Sequence, residues 1–572
     1  MRVDWRQARG VFMADWGAGV ARLRDLLRSR DLHLALWLCL PALLVGAAIR
    51  IHFCAEAPYG YFLSDTRNFI DGARNFLKSP LGVFGGGART FLAPILYSVP
   101  VGLDVPLLRV VPWGQHAIGL GMIVASGLLC AAWFRGWRWW IVPVTLVVAA
   151  HPTILWYEHM ALPESMFVAL TMATALAVAL FLRIPSPPTL LLLLSFIFLT
   201  AGARQEGFLY SLAALVACAV VFWRDRRRMA WYAGGVCLFL LLTARASQTT
   251  QGGQMLIASV IQFAPDRLWL APDYSGRAAA LRERFAPLWP KYPAQHNESR
   301  DIIKEDVKAF LRESRGMSEA EAKLDNNRFC KRVGLEIALR RWWELPRMAY
   351  HKWLATHLEE PSPYFHDDWP REYVMKKAFG KEDSKERRYL RRFFGTPYDS
   401  ADAFARDLER IYYPVDGLGG LGEWQRGFLR WSLWPQGAAD VGRGEVTGVA
   451  VEGASEAVGP SAGPDEEGEE GPQAVAEAVA QKVPVLPWLY PLGLAGLAGA
   501  ACVADGRRRK ALLIWLGMLL FMGFATAVVG SLRSRYRLSF EPYWYFGLAG
   551  LLETCRVFAL AALWRLRQGR EG

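Results

Sequence analysis

Residues 162–182 read LPESMFVALTMATALAVALFL, and Glu164 is the only charged residue among them. Because about 20 consecutive apolar residues cross the hydrocarbon core of a bilayer as one helix, this stretch predicts a membrane span. Similar apolar runs cover residues 34–49, 117–134, 139–157, 189–203, 207–223, 229–244, 483–504, 511–532 and 540–564. The sequence therefore predicts an all-α polytopic membrane protein, a bundle of about ten transmembrane helices. The last run is interrupted by Glu553 and Arg556, whose spacing allows them to pair on one helix face.

The composition of the whole chain agrees with this fold class. Of its 572 residues, 53% are hydrophobic and 24 are Trp, which is too apolar for one soluble core. The formal net charge is +13, but the basic residues cluster between apolar runs, so we expect a topology signal and no nucleic-acid partner. The eight cysteines are scattered, without a CxxC spacing, and are expected to be small core residues.

The basic loops indicate how the chain is oriented. If the spans alternate from a cytoplasmic N-terminus, the loops at 135–138, 224–228 and 507–510 and the C-terminal tail all lie inside, as the positive-inside rule requires. The exception is the segment 533–537, which contains three arginines and falls outside. It either holds a phosphate or is a tolerated interfacial charge. An Arg-rich chain without a retention signal favours a bacterial inner (plasma) membrane over the endoplasmic reticulum.

The same alternation divides the chain into segments. Residues 1–31 form a basic cytoplasmic segment, either an amphipathic helix or a flexible tail. The N-terminal membrane domain covers 32–246 with about seven spans and includes an outer loop at 52–115, and the C-terminal membrane domain covers 483–564 with about three spans. Between them, 247–435 predicts an extracytoplasmic helical domain and 436–482, which lacks aromatic residues, predicts a disordered linker. Residues 565–572 form a cytoplasmic tail.

The first outer loop carries the main candidate for chemistry. Residues 63–77 read LSDTRNFIDGARNFL. Five apolar residues in this stretch fall on one helical face, namely Phe69, Ile70, Ala73, Phe76 and Leu77. The pattern predicts an interfacial helix with Ser64 or Asp65 at its N-cap, so Asp65 is either a helix cap alone or a group available for acid–base chemistry.

Four short segments in chain order resemble those of one enzyme superfamily. They are Ser64-Asp65-Thr66, the stretch from His151-Pro152 through Glu158 to Leu162-Pro163-Glu164-Ser165, Ala203-Arg204-Gln205-Glu206-Gly207, and Arg535-Tyr536-Arg537-Leu538-Ser539-Phe540-Glu541-Pro542. Together, on one predicted side, they resemble elements of the GT-C glycosyltransferases, which include protein O-mannosyltransferases and the aminoarabinose transferases of lipid A. Ser539 departs from the pattern, which often has proline there. The resemblance covers 32 to about 245 and the last three spans, but not the insert.

The resemblance implies a GT-C-like bundle that moves a sugar from a polyprenyl-phosphate carrier to a glycan, lipid or protein acceptor in the cell envelope, with inversion. Asp65 is then expected to be the catalytic base that takes the proton of the attacking hydroxyl. Arg204, Arg535 and Arg537 are expected to bind the leaving phosphate. The remaining expected substrate-binding residues are Arg67, Glu158, Glu164, Glu206 and Tyr536. No metal is expected, because the spacing of the His and Glu residues at 151–164 matches no helical ligand pattern.

Two other functions stay open. A transporter or flippase of lipid-linked glycans predicts functional charges near the middle of the membrane, whereas most candidates here lie at one face. A non-catalytic membrane assembly protein with the same fold is the other possibility. The Trp-rich stretches at 341–343 and 351–353 suit anchoring at the membrane interface or a sugar-binding platform.

Overall fold

The computed structural model of the chain describes residues 5–56, 60, 66–80, 90–103, 105, 107–243, 252–288, 296–350, 485–529 and 541–571. Every regular element within these ranges is a helix. The N-terminal helices are α1 (Trp5–Leu27), α2 (Arg30–Glu56), α3 (Thr66–Lys78), α4 (Leu92–Gly102), α5 (Leu107–Trp133), α6 (Trp137–Ala150), α7 (Pro152–His159), α8 (Glu164–Arg183), α9 (Pro187–Ala203), α10 (Ser211–Phe222) and α11 (Arg226–Thr243), with a 3-10 turn at Gln205–Tyr210. The insert contributes α12 (Gly252–Val260), α13 (Ser275–Phe285), α14 (His296–Arg315) and α15 (Glu319–Arg340), and the C-terminal part contributes α16 (Val485–Val503), α17 (Gly506–Val529) and α18 (Glu541–Glu571).

Several of these helices are suited to crossing a membrane. Five are long and apolar enough, namely Arg30–Ala55, Leu107–Trp133, Glu164–Arg183, Gln205–Phe222 and Pro542–Gln568. The pair α6 and α7 counts as a sixth if its 49° bend belongs to one broken span. The all-helical fold class expected from the sequence is therefore confirmed and fits a membrane protein. The count of about ten spans and the GT-C-like arrangement stay predictions.

The membrane helices share a core and turn a second apolar face outward. Along α2, Cys39 and Ala42 are fully buried, while Trp37 is 69% and Leu44 is 63% exposed. Large apolar side chains are likewise exposed along α5, α9 and α18. Repeated outward Leu and Trp residues are unfavourable in water but are the expected surface of helices in hydrocarbon.

Helix α5 begins earlier than the apolar run suggested. It starts at Leu107, whereas the run begins at 117, because Leu107, Leu108 and Val111 extend the same buried face. Gln115 and His116 interrupt the apolar pattern in the sequence, yet both side chains are buried. Buried polar groups need hydrogen-bond partners, and these come from distant parts of the chain. The predicted outer loop at 52–115 therefore contains the end of α2, helices α3 and α4, and the start of α5.

The run at 139–157 is divided into two helices. His151 has extended backbone angles between α6 and α7, and Pro152 occupies the first position of α7. Proline has no N–H and fits the first turn of a helix but not its interior, so the chain bends here. The His151 ring accepts a hydrogen bond from Ile154 N and caps α7. After this break, α7 leads to the α7–α8 junction, where Glu164 begins α8.

Glu553 and Arg556 are paired as their spacing allowed. Arg556 Nε lies 2.8 Å from Glu553 Oε2, and Glu553 is 1% exposed. The same carboxylate accepts hydrogen bonds from Gly136 N at 2.8 Å and from Trp140 Nε1 at 3.0 Å. Glu553 therefore joins α18 to the turn before α6, and a charged group inside an apolar helix is fully satisfied.

The described part of the insert packs around a core of its own. Buried residues of α12 to α15 and of the segment between α12 and α13 form this core, including Ile257, Tyr274, Val307, Phe310 and Phe329. Helix α15 begins with a capping box, in which Ser318 Oγ accepts from Glu321 N and the Glu321 side chain accepts from Ser318 N. The Ser318 hydroxyl and Ser318 N both donate to the Glu321 carboxylate, and these hydrogen bonds lower its pKa. Residues 351–435 of the predicted domain and the predicted linker 436–482 lie outside the described residues.

Candidate functional site

Arg204 lies at the centre of a charged cluster at one end of the bundle, which we call the site end. Its guanidinium is 3.3 Å from Glu164 Oε1 and 3.2 Å from Glu206 Oε1. It also lies over the ring of Phe167, with 5.6 Å from Cζ to the ring centroid. Three of the residues predicted for substrate binding are thus brought together. The side chains of Arg204 and Glu164 are mostly buried, and that of Glu206 is 32% exposed.

The local sequence explains how Arg204 is positioned. Helix α9 ends at Ala203, Arg204 has extended backbone angles, and the chain then turns back in the 3-10 turn. A Cβ at Gly207 would overlap the backbone of Thr200 and Ala201, so only glycine permits the turn to pack against the last turn of α9. The Arg-x-Glu-Gly order therefore places Arg204 and Glu206 on the same turn.

The first outer loop is attached to this turn. Thr90 Oγ1 donates a hydrogen bond to the carbonyl of Ala203 at 2.8 Å, and the ring of Phe91 lies 4.8 Å from that of Phe198. Residue 91 directly precedes α4, and α4 packs against α3. Helix α3 and the Arg204 turn are therefore parts of one assembly.

The predicted helix is present as α3, and most of its apolar face packs inside the protein; its position at the membrane interface stays a prediction. Phe69, Ile70 and Ala73 are buried, Phe76 is partly exposed and Leu77 is 49% exposed. Arg67 belongs to the first turn of α3, but its side chain is not among those described. Asp65, the predicted base, lies outside the described residues.

A second polar group holds the α7–α8 junction in place. Gln115 Nε2 donates to the carbonyl of Met160 at 2.6 Å and to Tyr97 Oη at 3.4 Å. Ser165 Oγ donates to Gln115 Oε1. Glu164, adjacent to Ser165, begins α8 and faces Arg204. These contacts fix helices α4, α5 and α8 relative to one another at the site end.

Glu158 lies inside the bundle. It is fully buried, and its oxygens accept from Arg50 Nε at 2.8 Å and from Arg50 Nη2 at 2.7 Å. His116 Nδ1 lies 2.8 Å from the same carboxylate. Both oxygens of Glu158 are thus engaged by the protein itself.

The start of α18 faces the α6–α7 break. His151 Nε2 and Tyr545 Oη are 2.8 Å apart, and Tyr543 Oη donates to Thr171 Oγ1 at 3.4 Å. The predicted phosphate-binding residues Arg535 and Arg537 and the predicted substrate-binding residue Tyr536 precede α18 in the sequence and lie outside the described residues.

Sequence reasoning missed Arg50, His116 and Gln115. Arg50 and His116 each lie one residue beyond the end of a predicted span, and Gln115 falls in the predicted outer loop. A charged or imidazole side chain within helical reach of an apolar run signals a buried functional or structural group. That signal was present, but their partners are distant in the sequence.

In comparisons with family models, curated proteins and solved structures, no match to this chain was found.

Proposed function

We propose that the chain is a membrane glycosyltransferase that moves a sugar from a polyprenyl-phosphate carrier to an acceptor at the extracytoplasmic face. The observation that carries the proposal is the Arg204 cluster, in which one guanidinium is held by Glu164 and Glu206 at the site end. The hydrogen bond from Thr90 to Ala203 ties that cluster to the first outer loop. Glu164, Arg204 and Glu206 come from two of the four segments on which the resemblance to the GT-C superfamily rests.

The proposed reaction divides its work between a carboxylate and cations. Asp65 accepts the proton of the acceptor hydroxyl, the hydroxyl oxygen forms a bond to the anomeric carbon, and the bond to the carrier phosphate breaks. The carrier leaves as a phosphate anion, and guanidinium groups stabilise the charge that develops on it. Attack from the side opposite the phosphate inverts the configuration.

The charge of the Arg204 cluster means that a bound phosphate needs further cations. One guanidinium against two carboxylates leaves a net negative charge around Arg204, which alone disfavours a phosphate. The proposal therefore assigns the carrier phosphate to Arg204 together with Arg535, Arg537 and Tyr536. Glu164 and Glu206 then orient Arg204 and bind sugar hydroxyls, and Arg67 supplies a further cation beside Asp65 in the sequence.

The rival transporter function predicts charged groups near the middle of the membrane. Arg50 and Glu158 are one buried charge pair inside the bundle, and Glu553 with Arg556 is a second, held at the turn of Gly136 at the opposite end. Arg50 lies six residues before the end of α2 at Glu56, which at 1.5 Å per residue is about 9 Å from that end. Since α2 has 27 residues, the Arg50–Glu158 pair lies about midway between the middle of the helix and its site end. The enzyme is favoured instead by the Arg204 cluster, which lies at the site end.

The direct test supplies the purified protein with labelled polyprenyl-phosphate sugars and measures release of the carrier phosphate. We expect release by the wild type, and a loss on the order of 10²- to 10⁴-fold for Asp65→Asn, because a general base contributes about that much. Asp71→Asn is the matched control, since Asp71 is an acidic residue of α3 that is 40% exposed and pairs with Arg74. It should retain nearly full activity.

Two results would contradict the proposal. A folded Asp65→Asn protein with full activity would remove Asp65 as the base. Absence of carrier phosphate release from every polyprenyl-phosphate sugar supplied with a range of acceptors would remove the glycosyltransferase function and favour the transporter or assembly protein.

A further inference from the structure

Three side chains that bind transition metals meet inside the bundle, separate from the Arg204 cluster. Cys54 lies near the end of α2, His116 in α5 and His159 at the end of α7. The Sγ of Cys54 and one ring nitrogen of each histidine lie within 4.8 Å of one another. All three residues are buried. The sequence spacing did not reveal this group, because each residue comes from a different helix.

The two imidazoles direct nitrogens at each other. His116 Nε2 lies 3.1 Å from His159 Nδ1, and His116 Nδ1 lies 2.8 Å from Glu158 Oε2. A carboxylate accepts, so Nδ1 of His116 carries a proton and, in the neutral ring, Nε2 presents a lone pair. In the bond between the two neutral imidazoles, His159 Nδ1 carries the shared proton, and a metal ion binds both nitrogens once that proton moves to His159 Nε2.

Glu158 and Arg50 form the support that a metal-binding histidine usually has. Metal-bound histidines commonly donate their second N–H to a carboxylate, which fixes the ring and raises its basicity. Glu158 does this for His116, and Arg50 holds Glu158 through two hydrogen bonds. Arg50 in turn donates to the carbonyls of Gly46 and Ala149 at 3.1 and 3.0 Å. The charges of Arg50 and Glu158 cancel. No uncompensated carboxylate therefore remains beside Cys54, His116 and His159 when they bind a cation.

The surroundings exclude water from the group. The ring of Phe53 is fully buried and lies 4.7 Å from His159 and 5.8 Å from His116, centroid to centroid. A Cβ at Gly119 would overlap the Glu158 carboxylate. The backbone of α5 therefore approaches this carboxylate as closely as a glycine permits. Structural Zn²⁺ sites almost always have four ligands, so the three side chains here leave one position of a zinc ion to be filled.

We propose that Cys54, His116 and His159 bind one transition-metal ion that joins α2, α5 and α7. Ligand bonds of about 2.0 Å to nitrogen and about 2.3 Å to sulfur place ligand atoms roughly 3 to 4 Å apart, so small side-chain rotations suffice to close the site. Thiolate and imidazole ligands select Zn²⁺ or Cu⁺ among the common ions. With one thiolate, Cu⁺ gives a neutral site, whereas Zn²⁺ leaves one positive charge and requires an anionic fourth ligand.

The test measures metal content of the full chain, purified in detergent with a tag that contains no histidine. After chelation, separate samples are reconstituted with Zn²⁺ or with Cu⁺ under reducing conditions, and bound metal is measured by mass spectrometry. We expect one ion per chain for at least one metal, and no stoichiometric binding by Cys54→Ser or His159→Gln. Glu158→Gln should weaken binding by about 10- to 100-fold, as loss of a supporting carboxylate does.

Matched variants separate the site from unspecific binding. Cys218→Ser removes another buried cysteine, and His52→Gln removes an exposed histidine of α2 two residues from Cys54; both should bind like the wild type. Co²⁺-loaded protein should show thiolate-to-cobalt absorption that Cys54→Ser lacks. The proposal is overturned if the folded wild type binds neither ion, or if Cys54→Ser binds as much metal as the wild type. Because the readout is metal content, such a failure leaves the glycosyltransferase proposal unaffected.

Discussion

At the scale of single residues, the buried polar network around Glu158 depends on a space that only glycine leaves open. Arg50 and Glu158 are both nearly inaccessible, and a buried charge that loses its partner destabilises a protein by about 3–5 kcal/mol. Gly119 faces the carboxylate directly, since an added Cβ would overlap it. Adding a methyl group at position 119 is therefore expected to disturb the Arg50–Glu158 pair, although it removes no charge.

Gly119→Ala is predicted to lower the free energy of unfolding by about 1–3 kcal/mol, the usual result of overpacking a core. Thermal unfolding of the detergent-solubilised chain checks this. Gly121→Ala is the control, because Gly121 belongs to the same helix and an added Cβ there would meet nothing within 4 Å. It should leave the melting temperature unchanged or raise it slightly. Equal melting temperatures for both variants would mean that the Glu158 carboxylate is free to move aside.

At the scale of helices, α16 and α18 approach each other through glycine. A Cβ at Gly496 would overlap the carbonyl oxygen of Gly547, and one at Gly550 would come within 2.6 Å of Gly496 O. In a bilayer there is little hydrophobic force between helices, so small residues that permit close backbone contact supply the packing.

Replacing Gly547 by leucine is predicted to separate α16 from α18, with a lower melting temperature and a smaller yield of monodisperse protein. Size-exclusion chromatography and thermal unfolding measure both effects. Gly517→Leu in α17 should have little effect, because Gly517 is exposed and has nothing within 4 Å of its Cβ position. If both variants behave like the wild type, the α16–α18 contact does not depend on glycine.

The sequence predicted the helices better than their boundaries. Within the described residues, helices occupy each apolar run, with one break at His151, because a helix satisfies its backbone hydrogen bonds internally in a bilayer. The start of α5 was misplaced because Gln115 and His116 are polar, and they are stable inside the bundle only through Met160, Ser165, Glu158 and His159. Those partners are distant in sequence, so no local pattern could show that the polar groups are satisfied.

In the candidate site, too, the sequence predicted some features correctly and missed those that depend on contacts between distant residues. Glu164, Arg204 and Glu206 were expected on one side and are in contact, since alternation of spans alone brings their junctions to one end. The group of Cys54, His116 and His159 was not expected, because its members share no helix and no periodic spacing. Alternation predicts which end a residue occupies, whereas contacts within that end depend on helix packing.

At the scale of the whole molecule, basic residues collect at the end opposite the Arg204 cluster. The loop at 135–138 precedes α6, whose other end leads to the α7–α8 junction, and the loop at 224–228 follows α10, whose other end carries the α9–α10 junction. Arg228 pairs there with Asp15 of α1 at 2.9 Å, so α1 packs against the same end. This distribution of charge predicts that the basic end is cytoplasmic and that the site end, with the insert, is extracytoplasmic.

Cysteine labelling checks that orientation. In a chain with the exposed Cys237, Cys502 and Cys555 replaced by serine, single cysteines are introduced at Arg227, in the basic end, and at Leu324, which is 83% exposed on α15 of the insert. A membrane-impermeant maleimide added to intact spheroplasts should label the Leu324→Cys chain, and should label the Arg227→Cys chain only after permeabilisation. The opposite pattern would place Arg204 on the cytoplasmic side. The cluster would then face the compartment of soluble sugar donors, and the reason for assigning a lipid-phosphate carrier to it would be lost.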